Sequence, residues 1–115
     1  MSINPEILEY VFKEEHEKIP INLWDNDEFV WEAVQWNEYN LKYVSERLKK
    51  DKKFIKKILI NHGFSFKYID NNLKKDKKFL LEIIKLNKSI YRYLDKNFLE
   101  DEDIMSTINI LIKET

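Results

Sequence analysis

Residues 51–75 read DKKFIKKILINHGFSFKYIDNNLKK and residues 76–100 read DKKFLLEIIKLNKSIYRYLDKNFLE. Laid over one another, the two stretches place Phe54 on Phe79 and Tyr68 on Tyr93. The stretch before them, NDEFVWEAVQWNEYNLKYVSERLKK at 26–50, joins the same register with Phe29 and Tyr43. The chain is therefore mostly one 25-residue unit written three times, Asn26–Lys50, Asp51–Lys75 and Asp76–Glu100, and Asp101–Thr115 opens a fourth copy that stops half-way. A unit this short cannot bury an apolar face alone, so the period predicts stacked copies that share a core.

Within each unit the first element opens on a side chain able to accept the unpaired N–H groups of a first helical turn: Asn26, Asp51, Asp76 and Asp101. Apolar residues then recur at helical spacing, as in Phe29, Val30, Ala33 and Val34, or Phe54, Ile55, Ile58 and Leu59, or Phe79, Leu80, Ile83 and Ile84. A shorter second helix is expected through Leu41, Tyr43, Val44 and Leu48 and their equivalents. Between the two, Asn37–Asn40, His62–Ser65 and Asn87–Ser89 supply turn residues that tolerate left-handed backbone, with Gly63 the only glycine. Upstream, Pro5 suits a first helical turn and predicts a capping helix over Pro5–Glu17 with Ile7, Leu8, Val11 and Phe12 inward. Ile19 and Leu23 fall on Val44 and Leu48, so this segment reads as a degenerate zeroth unit.

The fold expected is all-α: one domain over 1–115, a short right-handed-type α-solenoid of helix-turn-helix repeats (26–50, 51–75, 76–100) between an N-terminal cap (1–25) and a C-terminal half repeat (101–115). Composition agrees, since 43% hydrophobic with 36% charged residues suits a helical domain, whereas one Gly and two Pro are too few for the turns of a sandwich or barrel. Without Cys there are no disulfides or thiolate metal sites. No basic segment precedes the first apolar stretch, and no apolar run approaches membrane-helix length. A soluble cytoplasmic protein without membrane contact is the expectation.

The pattern D-x-x-F-[VIL]-x-x-[AI]-[VIL], followed by a Tyr-apolar-[SD] segment and a Leu or Phe shortly before the next Asp, resembles the repeats of the domain of unknown function 4116 family. The resemblance spans about Asn26 to Ile112 and is strongest in DNDEFVWEAVQWNEYNLKYVSERLKKD and DKKFLLEIIKLNKSIYRYLDKNF. The second unit departs at Ile58 and Gly63. The resemblance implies an interaction module and carries no activity over.

Net charge is −1, yet residues 1–40 sum to −8, residues 41–99 to +11 and residues 100–115 to −4. The unit junctions read WDNDE, KKDKK, KKDKK and LEDED. Stacking would bring Lys49, Lys50, Lys52 and Lys53 beside Lys74, Lys75, Lys77 and Lys78, an edge able to attract nucleic-acid phosphates or an acidic protein surface. A solvated face is the ordinary alternative.

For a protein partner, Trp31, Leu81, Ile60 and Ile110 follow the core pairs on the first helices and point outward. Trp31 is the expected anchor, whereas Trp24 and Trp36 are expected to plug the end of the stack against the capping helix. The last helix, apolar around most of its circumference, offers a route to a homo-oligomer. Tyr43, Tyr68 and Tyr93 have a packing ladder as their simplest role and a base-stacking platform as the alternative.

Catalytic chemistry has no visible home. His16 and His62 are the only imidazoles, and there is no glycine-rich phosphate loop. Glu14, Glu15, His16 and Glu17 fan around a helix rather than converge on a metal. The expected function is a non-enzymatic interaction module that needs no cofactor and binds a protein partner. The alternative is a nucleic-acid or ribonucleoprotein binder, including an inhibitor of a nucleic-acid enzyme encoded by a mobile element, acting through the KKDKK edges.

Overall fold

The computed structural model describes residues 4–114. In chain order the elements are α1 (Pro5–Phe12), the 3-10 helices η1 (His16–Lys18) and η2 (Ile21–Asp25), α2 (Asp27–Trp36), η3 (Glu38–Tyr43), α3 (Glu46–Lys49), α4 (Lys52–Asn61), η4 (Gly63–Tyr68), α5 (Asn71–Lys74), α6 (Lys77–Leu86), η5 (Lys88–Tyr93), α7 (Lys96–Leu99) and α8 (Glu102–Lys113). Among the described residues there is no strand.

The predicted caps form. Asn26, Asp51 and Asp76 each accept the N–H of the residue three places on, Phe29, Phe54 or Phe79, at 2.9 to 3.2 Å. Asp101 accepts from both Asp103 and Ile104. Each cap satisfies one of the orphan donors of a first turn, a contribution of about 1 kcal/mol. The predicted apolar stripes of α2, α4 and α6 are buried without exception, joined by Ile104 and Ile108 of α8.

The second helix of each unit is not one helix. It is a six-residue 3-10 helix, one extended residue, and a single α-turn. The break falls after Val44, Ile69 and Leu94, whose ψ values near 150–170° are extended, and the chain restarts on Ser45, Asp70 and Asp95. Ser45 and Asp70 cap the next turn, accepting the N–H of Leu48 and of Asn72. A short polar side chain that can bond its own downstream backbone competes with helix continuation, which is why the chain stops there.

The inner turns use no left-handed residue. Asn37 and Asn87 are extended, each accepting the N–H two residues on, and Gly63 has no positive φ. Gly63 is needed for space instead: a Cβ there would lie 2.9 Å from Ser89 Oγ and 3.2 Å from Asn87 Nδ2.

The capping helix also stops early. α1 ends at Phe12, and Glu14 takes φ 59° while Glu15 N–H donates to Tyr10 O at 2.8 Å and Glu14 N–H to Val11 O at 3.1 Å. Those two bonds form a Schellman ending, here with Glu where Gly is usual. Val11 is buried and Ile7 and Leu8 pack on the core, but Phe12, expected inward, is exposed.

Helices α2, α4, α6 and α8 pack each on the next, and so do η3, η4 and η5 on a second layer. The N-terminal ends are tied by Lys52–Asp76 (3.1 Å) and Lys77–Asp101 (2.9 Å). The C-terminal ends are tied by His62 Nε2–Gln35 Oε1 (3.1 Å) and by Asn87 Nδ2 donating to Leu59 O (2.9 Å). The four helices thus run parallel. The molecule measures 48 × 28 × 23 Å with a radius of gyration of 15.7 Å, above the roughly 13 Å of a compact domain of this length.

Candidate interaction surfaces

The eight junction lysines separate into three groups. Lys52 and Lys77 open α4 and α6, where their charge opposes the helix dipole. Each reaches the N-cap carboxylate of the next unit, and Lys77 also meets Asp103 at 2.7 Å. Lys49 Nζ donates to Lys42 O at 3.2 Å and Lys74 Nζ to Lys67 O at 2.7 Å, so both bind the ends of 3-10 helices. Lys50, Lys53, Lys75 and Lys78 have no ion pair among the described residues.

Further pairs cross between units on the outer face of the helices. Lys56 pairs with Glu82. At the acidic first junction the polarity reverses, and Arg47 donates from Nε to Asp25 Oδ1 at 2.9 Å while approaching Asp27 at 3.5 Å; Ser45 Oγ adds a 2.5 Å bond to Asp25. These partners set the carboxyls' titration. The Ser45 hydroxyl and then Arg47 hold Asp25 below its ordinary value, the Phe79 amide and then Lys52 do so for Asp76, and Lys77 and then the Ile104 amide for Asp101. Lys77 is raised by Asp103 and Asp101.

The apolar candidates divide differently. Trp31 and Leu81 are half-buried against the core, and Lys57 Nζ lies 5.1 Å over the Trp31 ring. Ile60 and Ile110 are exposed as expected. Trp24 is buried in contact with Phe29, whereas Trp36, expected to be buried, is exposed although its ring meets Phe12 of α1 at 4.3 Å. The reason is its place at the last position of α2, past the buried stripe. Phe12, Trp36, Ile60, Leu86 and Ile110 sit in the last turns of α1, α2, α4, α6 and α8, each 44% to 58% exposed. Comparing positions 35, 60, 85 and 110 alone hides this set, because its apolar residues alternate between two neighbouring positions of the unit.

The second layer carries rings and cations. Tyr39, Phe64, Tyr68 and Tyr93 meet edge to face at 4.9 to 6.3 Å across three consecutive 3-10 helices. A cleft of about 280 Å³ is lined by Lys42, Lys49, Tyr68 and Asp70 among others. One unit on, a cleft of about 340 Å³ is lined by Lys67, Lys74, Tyr93 and Asp95. Each residue of the second set lies 25 places after its counterpart in the first.

The two imidazoles are structural partners. His16 stacks on Tyr43 at 4.1 Å with Nε2 3.1 Å from Asn40 Oδ1, and His62 places Nδ1 3.2 Å from Glu38 while Nε2 meets Gln35. Among the described residues no group of three His, Asp or Glu side chains is arranged to hold a metal ion, and no helix is long and apolar enough to cross a membrane.

No curated protein and no solved structure gives a significant match to the chain. One family model matches twice, over residues 26–74 and 51–99, and the two matches are themselves displaced by one 25-residue unit. Together they span more than half of the sequence, and the chain belongs to that family, the domain of unknown function DUF4116.

Proposed function

We propose that the chain is a short α-solenoid that works by occupancy, and that its partner is a protein seated on the apolar edge at the helix C-termini. The observation that carries this reading is the set Phe12, Trp36, Ile60, Leu86 and Ile110, five large apolar side chains left exposed in the last turns of successive helices while the stripes of α2, α4, α6 and α8 are buried. Exposed large apolar side chains repeated at one end of successive helices mark a protein contact, and an exposed Trp is the usual anchor of one. The parallel packing supports the reading further, because each added unit extends the set by one residue. Trp36, rather than Trp31, is the anchor on this view, since Trp31 already packs on the core beneath Lys57.

The test is affinity capture from the native cell with the wild type and with a Trp36→Ala, Ile60→Ser double variant, identifying protein and nucleic acid together. Both side chains are exposed, so the melting temperature should hold. A protein retained by the wild type and lost with the variant is the expected result. Equal recovery by both would remove the edge as the docking surface.

A further inference from the structure

Cations on the two layers have different neighbours, although Lys53 and Lys78 of α4 and α6 also lack an ion pair among the described residues. On the layer of α4 and α6, Lys52, Lys56 and Lys77 are neutralised by carboxylates of the following unit. On the 3-10 layer, Lys42, Lys67 and Arg92 occupy one position of three successive units, and none has a carboxylate partner among the described residues. Aromatic rings stand beside two of them instead. Lys42 Nζ lies 5.1 Å over the Tyr43 ring, and Lys67 Nζ lies 4.5 Å over Phe64 and 5.8 Å over Tyr93.

The geometry points to the 3-10 layer as a binding surface for single-stranded nucleic acid, with Lys42, Lys67 and Arg92 on the phosphates and Tyr39, Phe64 and Tyr93 offering rings to unpaired bases. Three features of the clefts select this ligand. The cations have no carboxylate partner among the described residues, so phosphates gain counterion release without breaking an ion pair. Tyr39 is exposed and Phe64 and Tyr93 are half-buried, so part of each ring is at the surface, where only an unpaired base can reach it. Asp70 and Asp95 line the two clefts; they repel phosphate and carboxylate alike, but they can accept from the exocyclic amines and sugar hydroxyls a nucleotide carries beside its phosphate, groups an acidic side chain lacks. Lys74, which lines both clefts, is already partly stripped of water, and burial lowers its pKa. Since two of the three phosphate contacts come from Lys, which makes no rigid bidentate fork, backbone should be read more than sequence.

The experiment uses the full chain and fluorescence anisotropy of a dye-labelled oligoribocytidylate of about 20 nucleotides, which carries both the amine and the sugar hydroxyl, between about 50 and 200 mM salt. Binding that weakens as salt rises is expected. The triple variant Lys42→Gln, Lys67→Gln, Arg92→Gln should lose about tenfold or more in affinity, whereas Lys53→Gln, Lys78→Gln on the other layer should change it less than about twofold. A Phe64→Leu variant, conservative enough to keep the layer packed, should weaken oligonucleotide binding while leaving inorganic polyphosphate binding unchanged. Circular dichroism melts confirm that each variant is folded. No binding at low salt, equal loss in both Lys variants, or poly-glutamate bound as tightly as the oligonucleotide would each overturn the assignment. None of these outcomes bears on the apolar edge, whose variant leaves this layer intact.

Discussion

Glu14 holds φ 59°, the one non-glycine residue among those described with a positive φ, because the Schellman ending of α1 requires it. For a residue with a Cβ that conformation costs about 1–2 kcal/mol, and glycine escapes it while losing about 0.5–1 kcal/mol of chain entropy. Glu14→Gly is therefore expected to stabilise the protein by about 0.5–1 kcal/mol, seen as a rise of a few degrees in the calorimetric melting temperature. Lys13→Gly, one residue earlier at φ −90°, should lower it, since no strain is relieved there. If both changes act in the same direction, strain at Glu14 is not the cause. Nothing in the sequence announced this site: Lys13, Glu14 and Glu15 are good helix formers, and the apolar spacing carries α1 on toward Glu17. The helix stops because packing pulls the chain back into the 3-10 turns that seat Ile19 and Trp24 in the core. Trp36 escaped for a related reason, since the rule that Trp is mostly buried says nothing about a position one residue past the end of a stripe.

At the scale of elements, the first helix of each unit was legible because its signals agree: an Asp or Asn cap, then apolar residues at period 3.6. The second was legible only as an apolar pattern. Leu41, Val44 and Leu48 are spaced three and four apart, which fits one helix as well as it fits a 3-10 segment and a turn. The deciding sign is the polar residue at 45, 70 and 95, which caps the next turn at Ser45 and Asp70 though not at Asp95. Bonded carboxylates also give the fold an acid limit. Asp25, Asp76 and Asp101 have folded pKa values below their unfolded ones, so their contribution to stability is full above the unfolded pKa near 4 and is lost as pH falls through the folded values. Lys77 runs the other way, its contribution full below the unfolded pKa and lost as pH rises through the raised folded value. The melting temperature should be flat near neutrality and fall below about pH 5. Asp101→Asn keeps a capping acceptor but removes the charge that faces Lys77. Its melting curve should therefore decline less steeply between about pH 5 and pH 3 than the wild type's; an unchanged slope would mean that the Lys77–Asp101 pair contributes nothing to acid sensitivity.

Over the whole molecule, the acidic, basic, acidic order of segment charges looks in the sequence like a surface made for a partner. Much of it is spent internally, because Arg47 reaches back to Asp25 and Asp27, while Lys52, Lys56 and Lys77 reach forward to Asp76, Glu82, Asp101 and Asp103. All of these bonds except Arg47–Asp27, which lies within the first unit, join one unit to the next and resist a slip of register. Sequence alone could not separate the spent cations from the unspent ones, because both kinds occur in the same KKDKK runs and only the packing decides which carboxylate lies within reach. Contacts that run from unit to neighbouring unit also predict how the molecule comes apart. Stability in such a stack is a sum of local terms and nearest-neighbour interfaces, so damage at one end should stay near that end. Ile108→Ala removes a buried side chain of α8, a loss of about 2–5 kcal/mol in a packed core. In native-state hydrogen exchange the amides of α8 and then α6 should lose protection, while those of α2 keep most of theirs. A globular core would instead transmit the loss evenly, and equal loss of protection in α2, α4, α6 and α8 would refute the solenoid in favour of one undivided cooperative unit.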